Sequence, residues 1–341
     1  MTFLKTPRKP AAAVFRRPLC YNPRPLQPPE HITDMTDNIQ AGIQAALAQL
    51  NQLILGKEPV LKQLLACILA DGHVLLEDVP GVGKTTLAHG VAAVLGLDYR
   101  RVQFTNDMMP ADLLGVSVYR PNEGKFEFHP GPVFHSFLLA DEINRASPKL
   151  QSALLEAMEE KQVSADGKTY RLPQPFFVVA TQNPTEQIGT FPLTESQLDR
   201  FMMRLSMGYP APEAEKMLYF HGDRRRALPQ VKPVCNAETL RGWQQQAAQV
   251  RFAQAAADYV YRLVEATRRP GQFVTGLSPR AGLAVVNAAK AWAFMHARGH
   301  VLPDDVKAVW VSVANHRLQP VQQGATAAQI LSGILSHVPV Q

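Results

Sequence analysis

The stretch Glu77-Asp78-Val79-Pro80-Gly81-Val82-Gly83-Lys84-Thr85-Thr86 lies between two apolar segments that differ in period. Before it, the apolar run Val74-Leu75-Leu76 predicts a buried strand, and after it residues 87–97 are rich in Ala, Leu and Val at helical spacing. Glycines at a turn from strand to helix let backbone N–H groups point inward, and the amino end of a helix attracts anions. The stretch therefore predicts a phosphate-binding loop.

The side chains of this loop suit a nucleoside triphosphate bound with Mg²⁺. Lys84 would reach the β- and γ-phosphates, and the Thr85 hydroxyl would bind Mg²⁺. Asp78 departs from the pattern G-x-x-x-x-G-K-[ST], because it stands where the first glycine is expected. Asp adopts left-handed conformations more readily than most residues, so the turn can still form. The predicted ATP-binding (Walker A) residues are Asp78, Val79, Pro80, Gly81, Val82, Gly83, Lys84, Thr85 and Thr86.

A second apolar run, residues 137–140, ends in two carboxylates, Asp141 and Glu142. The run is typical of a buried parallel strand, whose carboxyl end would present both acids, as in a Walker B motif. Phosphoryl transfer depends on charge neutralisation and on the position of the nucleophile. We therefore expect Asp141 to hold Mg²⁺, through water, together with Thr85, and Glu142 to orient and polarise the attacking water.

A third buried strand is predicted over residues 176–181, next to the strand that ends at Asp141. The polar residues Gln182-Asn183 follow it directly. Since the carboxyl ends of neighbouring parallel strands meet at one edge of a sheet, the Asn183 amide is expected to orient the same water.

Two arginines further along the chain are candidates for contact with phosphate. Arg200 follows a short helical stretch, and it is either an arginine finger for the γ-phosphate of a neighbouring subunit or a salt-bridged surface residue. Ser278-Pro279 predicts the start of a helix, with Ser as the cap and Pro at the first position. Arg280 then projects from the first turn, where a positive charge opposes the helix dipole and suggests an anionic partner.

Two segments predict β-hairpins. In the first, apolar and polar residues alternate from 116 to 128 around the turn Asn122-Glu123-Gly124. The second covers residues 162–170, where Asp166-Gly167 is a strong turn signal. Each hairpin either has a function of its own or only extends the main sheet.

Together these stretches resemble the MoxR family of AAA+ ATPases, which belongs to the helix-2 insert clade. The resemblance runs from about residue 36 to the C-terminus. Its most specific blocks are Asp141-Glu142-Ile143-Asn144-Arg145-Ala146 and Gln197-Leu198-Asp199-Arg200-Phe201, beside the P-loop text and Ser278-Pro279-Arg280-Ala281.

The resemblance implies roles for residues that spacing alone leaves open. Asn183 becomes sensor 1, Arg200 the arginine finger, with Arg204 as the alternative finger, and Arg280 becomes sensor 2. Gly56-Lys57 matches the adenine-side segment of the family or is an ordinary turn between helices. The first hairpin takes the place of the helix-2 insert, which faces the central pore of a ring.

The implied fold is α/β: a P-loop AAA+ core with a parallel sheet and helices on both faces, plus a smaller all-α lid domain. The chain of 341 residues is long enough for both. The predicted divisions are residues 1–35 as a disordered Pro-rich basic tail, 36–208 as the ATP-binding core and 209–341 as the lid. The lid is expected to carry Arg280 onto the nucleotide.

The net charge of +6 lies mostly in the tail. Residues 1–34 hold six basic and two acidic side chains, so they contribute +4, and seven prolines disfavour regular structure there. The tail is either a flexible basic arm or a stretch that precedes the natural start at Met35. No apolar run is long enough for membrane insertion. The three cysteines are scattered and lack C-x-x-C spacing, so neither disulfides nor a zinc site is indicated. We therefore expect a cytoplasmic protein.

The sequence thus predicts an ATP hydrolase that uses ATP and Mg²⁺. The resemblance implies a homo-oligomeric ring, expected as a hexamer, that remodels or matures protein complexes, with a protein client or a von Willebrand factor A domain partner. A nucleic-acid motor would need basic, aromatic-rich pore loops, whereas the first hairpin offers only Arg120 and Lys125, opposed by Glu123 and Glu127. A third alternative is a nucleotide-gated scaffold with little hydrolysis, against which the intact Glu142 argues.

Overall fold

A computed structural model describes residues 30–183, 189–222, 228–322 and 324–340 of the chain. The strands are β1 (Val74–Glu77), β2 (Tyr99–Gln103), β3 (Gly115–Arg120), β4 (Lys125–Pro130), β5 (Phe137–Asp141), β6 (Gln162–Ala165), β7 (Lys168–Arg171), β8 (Phe177–Gln182) and β9 (Met203–Leu205). The helices are α1 (Glu30–Leu53), α2 (Glu58–Leu69), α3 (Lys84–Val94), α4 (Pro110–Leu114), α5 (Pro148–Glu160), α6 (Glu195–Leu198), α7 (Pro212–His221), α8 (Ala237–Gln249), α9 (Gln254–Thr267), α10 (Pro279–Met295), α11 (Pro303–Ala314) and α12 (Ala327–His337).

Among the described residues, five strands form one parallel sheet in the order β2-β5-β8-β1-β9. The three buried strands predicted from apolar runs are its central members, and β8 lies next to β5, as predicted, with β1 on its other side. In this register Leu76 pairs with Thr181, and Ala140 pairs with Ala180. The carboxyl ends of β1, β5 and β8 therefore lie side by side.

Alternate residues of these strands enter two different core layers. Leu75, Leu138 and Val178 pack on the side of α5, whereas their neighbours Leu76, Leu139 and Val179 pack on the side of α2 and α3. All six side chains are buried. Because both faces of the sheet are covered, continuous apolar runs, rather than alternating ones, are the pattern that this fold requires.

The helices after β9 continue the second of these layers. Helix α10 is at its centre, and it packs against α11, α8, α9 and α2. Its Ser278 cap forms as predicted, since the Ser278 hydroxyl accepts a hydrogen bond of 3.1 Å from the Ala281 N–H. One apolar cluster thus includes both the face of the sheet that packs against α2 and α3 and the helical region after residue 209.

Helix α1 begins at Glu30, so its first turns run through residues that the sequence assigned to the tail. Residues 1–29 lie outside the described residues, and disorder there stays a prediction. Within the described ranges, no helix has the length and apolar character needed to cross a membrane.

Both hairpins are present, and each forms a two-stranded sheet of its own, β3-β4 and β6-β7. Gly124 turns the first one with a φ of 60°, and Asp166-Gly167 turn the second with φ values of 48° and 73°. The rings of Phe128 and Tyr170 stack 4.0 Å apart and join the hairpins. The hairpins therefore pack on each other and do not extend the main sheet.

Candidate nucleotide site

The turn between β1 and α3 has the backbone that a phosphate-binding loop needs. Gly81 and Gly83 have φ values of 82° and 96°, and a side chain at either position would be strained. Gly83 is the amino-terminal cap of α3, which begins at Lys84. The first N–H groups of any α-helix point out of its amino end, which is the geometry that binds an anion.

These residues line a pocket of about 590 Å³, a volume within the range of small-molecule sites. The pocket brings together most of the residues predicted to bind ATP and Mg²⁺, namely Pro80, Gly81, Val82, Gly83, Lys84, Thr85, Thr86, Asp141, Glu142 and Asn183. Asp78 and Val79 are not among the lining residues. The opposite wall comes from Leu53, Ile54, Leu55 and Lys57 before β1 and from Met207, Pro210, Leu218 and Gly222 after β9.

Lys57, from the adenine-side block, is fixed at this wall. Its ammonium donates hydrogen bonds to the carbonyls of Met207 and Tyr209, the latter at 2.6 Å. Gly56, with a φ of 68°, makes the turn between α1 and α2. The sequence left two alternatives for Gly56-Lys57, an adenine-side segment or an ordinary turn between helices. Both descriptions fit, because the turn between α1 and α2 is itself part of the pocket wall.

The Lys84 ammonium is held at the strand ends. It donates to the carbonyl of Asp78 at 2.6 Å and lies 3.4 Å from the carbonyl of Gln182. Both carbonyls are at the carboxyl edge of the sheet, where β1 and β8 end. A positive charge is therefore kept at the floor of the pocket, in the position that phosphate binding requires.

Asp78 does not form the turn in the way that the sequence argument assumed. It is not among the described residues with a left-handed backbone. Its buried carboxylate instead accepts hydrogen bonds from the N–H groups of Met207 and Gly208 and from the Ser206 hydroxyl, the last two at 2.9 and 3.1 Å. Asp78 thus ties the start of the loop to the segment after β9, which a glycine here could not do.

The Asp141 carboxylate is buried, and hydrogen bonds hold both of its oxygens. One oxygen accepts from the Thr181 hydroxyl at 2.5 Å, and the other accepts from the Arg101 guanidinium at 2.7 and 3.0 Å. A carboxylate and the Thr85 hydroxyl in one pocket are hard oxygen ligands, the kind that Mg²⁺ prefers. The residues present therefore fit Mg²⁺. Sequence analysis missed Arg101, because an Arg on an exposed edge strand carries no distinguishing signal.

Glu142 is held in a strained conformation next to Asp141. Its φ and ψ are 59° and 49°, a left-handed geometry that costs about 1–3 kcal/mol for a residue with a side chain. Its N–H donates to the Thr181 hydroxyl at 2.9 Å, and its carboxylate pairs with Arg145 at 2.9 Å. The Thr181 hydroxyl therefore fixes both acids at once. The sequence placed Thr181 at the end of a strand but gave no reason to assign it a function.

Asn183 lies where the sequence predicted it. Strand β8 ends at Gln182, and the next residue, Asn183, lines the pocket and is buried. Its neighbours at the pocket wall include Asp141, Glu142 and Thr181. The three strand ends thus bring together the acids and the amide that the sequence assigned to one site.

The two predicted phosphate-contacting arginines lie elsewhere. Arg200 and Arg280 line a separate cleft of about 270 Å³, which we call the arginine cleft, together with Glu159, Asp199 and Arg317. Glu159, near the end of α5, pairs with both, at 3.0 Å to Arg200 and 3.0 Å to Arg280. The expectation that the lid carries Arg280 onto the nucleotide of the same chain is not met, since the first turn of α10 lies beside α5 and not over the P-loop.

Arg204, the alternative finger, is held inside the chain. It donates to the Glu77 carboxylate at 3.0 Å and to the side chain and carbonyl of Asn315 at 3.1 and 3.2 Å. These contacts join β9 to the residue that precedes Asp78. Arg200 and Arg204 are similarly exposed, at 32% and 30%, so the choice of Arg200 as the finger stays a prediction.

Two buried histidines lie near the arginine cleft. Burial lowers the pKa of His73 to about 4, and burial together with the adjacent Arg317 charge holds the pKa of His316 well below its usual range. His73 accepts from the Val178 N–H at 3.1 Å, and the His316 Nε2 lies 2.9 Å from the Phe201 carbonyl. Both rings are therefore neutral at pH 7, and they act as hydrogen-bonding parts of the core.

Comparison with known families gives two matches along the chain. Residues 73–203 match the ATPase family associated with various cellular activities (AAA), and residues 265–334 match the AAA lid domain. The first match begins just before β1 and ends at the start of β9, and the second includes α10, α11 and most of α12.

Individual relatives cover most of the chain. An uncharacterised protein of Bacillus subtilis, YeaC, is 42% identical over 304 residues, which are 87% of this chain and 94% of YeaC. Chaperone MoxR1 of Mycobacterium tuberculosis is 41% identical over 285 residues, which are 81% of this chain and 75% of MoxR1. The crystal structure of a protein from Cytophaga hutchinsonii, assigned as an ATPase, superposes with a TM-score of 0.82 at 36% identity, covering 92% of this chain and 98% of that one.

Proposed function

The chain belongs to the MoxR-type AAA ATPases, and from this premise we propose that it is a Mg²⁺-dependent ATPase whose turnover remodels or matures protein complexes. The observation that carries the proposal is the single pocket in which Lys84, Thr85, Asp141, Glu142 and Asn183 meet. We assign residues 36–208 to the nucleotide-binding core and 209–341 to the helical lid.

In the pocket, the chain's own groups have distinct roles. Lys84 and the N–H groups at the start of α3 hold the β- and γ-phosphates, and the walls from Lys57 and Met207 enclose the base. Thr85 and Asp141 would hold Mg²⁺, which supplies charge neutralisation when bound. Glu142, oriented by Thr181, positions the water that attacks the γ-phosphate, and Asn183 donates to the same water or to the phosphate.

The separation of the pocket from the arginine cleft supports an active site shared between subunits. AAA proteins typically oligomerise, and in a ring the arginine cleft of one subunit meets the pocket of the next. We propose a hexamer in which Arg200, and with it Arg280, contacts the neighbour's nucleotide. Their contacts with Glu159 keep both guanidinium groups on one surface of the isolated chain.

The first hairpin supports a protein client rather than a nucleic acid. Of its basic residues Arg120 and Lys125, Arg120 forms an ion pair with Glu127 across the strands, which offsets its charge. Tyr119 and Phe126 lie side by side with ring centroids 5.2 Å apart, and their side chains are 52% and 69% exposed. An exposed apolar pair on a projecting hairpin suits apolar segments of a polypeptide, including a protein partner with a von Willebrand factor A domain.

The first experiment measures ATP turnover and oligomer mass together over a series of protein concentrations, with ATP and Mg²⁺ present. Glu142→Gln, which keeps the pocket but removes the group that positions water, is the blank. We expect turnover per subunit to rise as rings form, because the arginine cleft of one chain completes the pocket of another.

Constant turnover per subunit in a protein that stays monomeric would contradict the shared site. Turnover in the Glu142→Gln blank equal to that of the parent would contradict the assignment of the pocket. Client specificity is then tested by adding peptides with and without apolar residues and measuring whether turnover in Tyr119→Ala still responds to them.

A further inference from the structure

Three consecutive residues of the helical region contact the segment that carries Arg200. Asn315, His316 and Arg317 follow α11, and they hydrogen bond to Arg204, Phe201 and Asp199 respectively. The proposed finger, Arg200, lies in the middle of that segment. The contacts therefore reach both sides of Arg200 from a part of the chain more than 100 residues away.

Arg317 uses its whole guanidinium group in these contacts. Its Nε donates to the Asp199 carboxylate at 2.6 Å, and its Nη2 donates to the carbonyls of Asp199 and Phe201 at 3.1 and 2.7 Å. Its Nη1 donates to the Met202 carbonyl at 3.2 Å and to the Val313 carbonyl. An arginine has five N–H donors, and each one here has an acceptor.

Burial makes this arrangement specific. The Arg317 side chain is 6% exposed, so its charge needs the Asp199 carboxylate, and its donors need the carbonyls. Three of the acceptor carbonyls belong to Asp199, Phe201 and Met202, which lie on either side of Arg200. A planar fork that contacts all three fixes the path of the backbone there, which a lysine, with one charged centre, does not do.

The side chain of Arg200 leaves this fixed backbone toward α5. It donates to the Leu155 carbonyl at 2.8 Å and pairs with Glu159 at 3.0 Å, while remaining about one third exposed. Arg317 lines the arginine cleft beside Arg200, but its side chain is buried and its donors are all used within the chain. We therefore expect Arg317 to act on the neighbour's nucleotide through the backbone that carries Arg200.

We propose that Arg317 is a positioning residue for Arg200: it fixes the 199–202 backbone so that Arg200 reaches the nucleotide of the neighbouring subunit. The position of Arg200 then depends on how the helical region packs against this backbone. The inference rests on the proposed role of Arg200 as a finger in trans. A misplacement of about 1 Å at a catalytic group can cost about 10²-fold in rate, so a modest shift of this turn is enough to matter.

The test compares Arg317→Lys with Arg298→Lys. The control is matched, because Arg298 also lies in the helical region and pairs with a buried carboxylate, Asp305, but has no contact with residues 199–204 among its described hydrogen bonds. We expect Arg317→Lys to lower ATP turnover about tenfold or more, with its affinity for nucleotide unchanged. Arg298→Lys is expected to keep the turnover of the parent.

Mixed rings separate a positioning role from a general structural one. Arg317→Lys subunits are mixed with Glu142→Gln subunits, and co-assembly is verified by mass. An Arg317→Lys subunit keeps its own pocket, and its Glu142→Gln neighbour supplies a correctly placed Arg200, so turnover should be restored, as it should be for Arg200→Ala in the same mixture. A structural defect of the Arg317→Lys subunit itself would not be repaired by its neighbour.

The outcomes distinguish the inference from the function on which it rests. If Arg200→Ala keeps full turnover, the finger in trans is wrong, and the role of Arg317 falls with it. If Arg200→Ala loses turnover and is restored in mixtures, while Arg317→Lys keeps full turnover or is not restored, only the role of Arg317 is overturned. Should Arg317→Lys melt below the assay temperature, Asp199→Asn replaces it: reduced and restorable turnover supports the proposal, and full turnover overturns it.

Discussion

The nucleotide pocket and the arginine cleft differ in how they are built. The pocket is built at strand ends: Asp141 ends β5, Glu142 follows it, Asn183 follows β8, and Lys84 and Thr85 begin the helix after β1. The arginine cleft consists of side chains from α5, the turn before β9 and the start of α10, joined by ion pairs to Glu159 and Asp199. The main chain therefore positions the pocket residues, whereas ion pairs between side chains position those of the cleft.

This difference fits the proposed shared site, in which each chain would carry one half of two different sites. Parallel strands pin the pocket residues through hydrogen bonds along the whole sheet, so their geometry does not depend on a neighbour. The Arg200 and Arg280 contacts to Glu159 are partly exposed, and such ion pairs contribute only about 0–1 kcal/mol each. An incoming phosphate can therefore compete for both arginines, which suits a contact that forms and breaks during turnover.

The largest effect is expected from Arg200→Ala, which removes the proposed finger from the cleft but leaves the pocket intact. Turnover should fall by about 10³-fold or more, the range typical of arginine fingers. ATP affinity should stay unchanged, because Arg200 does not line the pocket of its own chain. Single-turnover assays and nucleotide titrations measure the two quantities. Arg269→Ala, at an exposed ion pair with Glu265, is the control, and a loss of binding in Arg200→Ala would break the division between pocket and cleft.

Lys84→Ala should act on the nucleotide pocket. Turnover should fall by about 10²- to 10³-fold, which is typical when one group that stabilises developing charge is removed. Unlike Arg200→Ala, it should also weaken ATP binding, because the Lys84 ammonium lies at the pocket floor. The same assays are used, with Lys62→Ala at a surface pair with Glu58 as the control. Normal hydrolysis in Lys84→Ala would show that the pocket is not the catalytic site.

Asp78→Gly restores the residue that the P-loop pattern expects, and the structure predicts that this change is harmful. It removes a buried carboxylate that accepts three hydrogen bonds, and the free energy of unfolding should fall by about 2 kcal/mol, since hydrogen bonds to charged groups contribute about 1.5–3 kcal/mol. Thermal or denaturant unfolding measures the change. Asp166→Gly, at an exposed left-handed turn, should be neutral or slightly stabilising, and equal stability of Asp78→Gly and the parent would contradict the proposed anchor.

The smallest effect is a dependence of stability on pH that arises beside the arginine cleft. Because burial lowers the folded-state pKa values of His73 and His316, the unfolded chain binds protons below about pH 6.5 that the folded chain does not. Stability is therefore lost as the pH falls, by about 1 kcal/mol at pH 5.5 for His73, and His316 acts in the same direction. Melting curves between pH 7.5 and 5.5 measure this loss.

His316→Gln identifies the source of that dependence. An amide can still donate to the Phe201 carbonyl but does not titrate, so part of the slope of melting temperature against pH should disappear. His337→Gln, at an exposed helix end, should leave the slope unchanged. An identical slope in His316→Gln and the parent would show that this ring does not control the response.

Much of the pocket could be predicted because its residues are local to short motifs. The P-loop, Asp141-Glu142 and Asn183 each follow an apolar run that reads as a buried strand, and parallel strands bring such ends together. Asp78 shows the limit of motif reasoning. Its place in the pattern suggested a backbone role, whereas its carboxylate binds the segment 206–208, which lies far away in sequence.

Sequence analysis missed residues whose proposed function depends on a contact with a residue far away in the sequence. Thr181 matters because register places its hydroxyl between Asp141 and Glu142, and Arg101 matters because β2 lies next to β5. Arg317 has no motif at all. Its proposed role depends on the packing of α11 against β9, which directs the end of that helix toward the turn before the strand.

The sequence by itself determined the α/β core, the P-loop, the two acids and the amide, because strand, turn and helix propensities act over a few residues and sheet formation then aligns the ends. Only the tertiary structure decided where Arg200 and Arg280 lie. Their position depends on how α10 packs against α2 and on which carboxylate, Glu159, is near enough to hold them. Residues that such long-range packing brings together share no periodic sequence pattern from which their contact could be predicted.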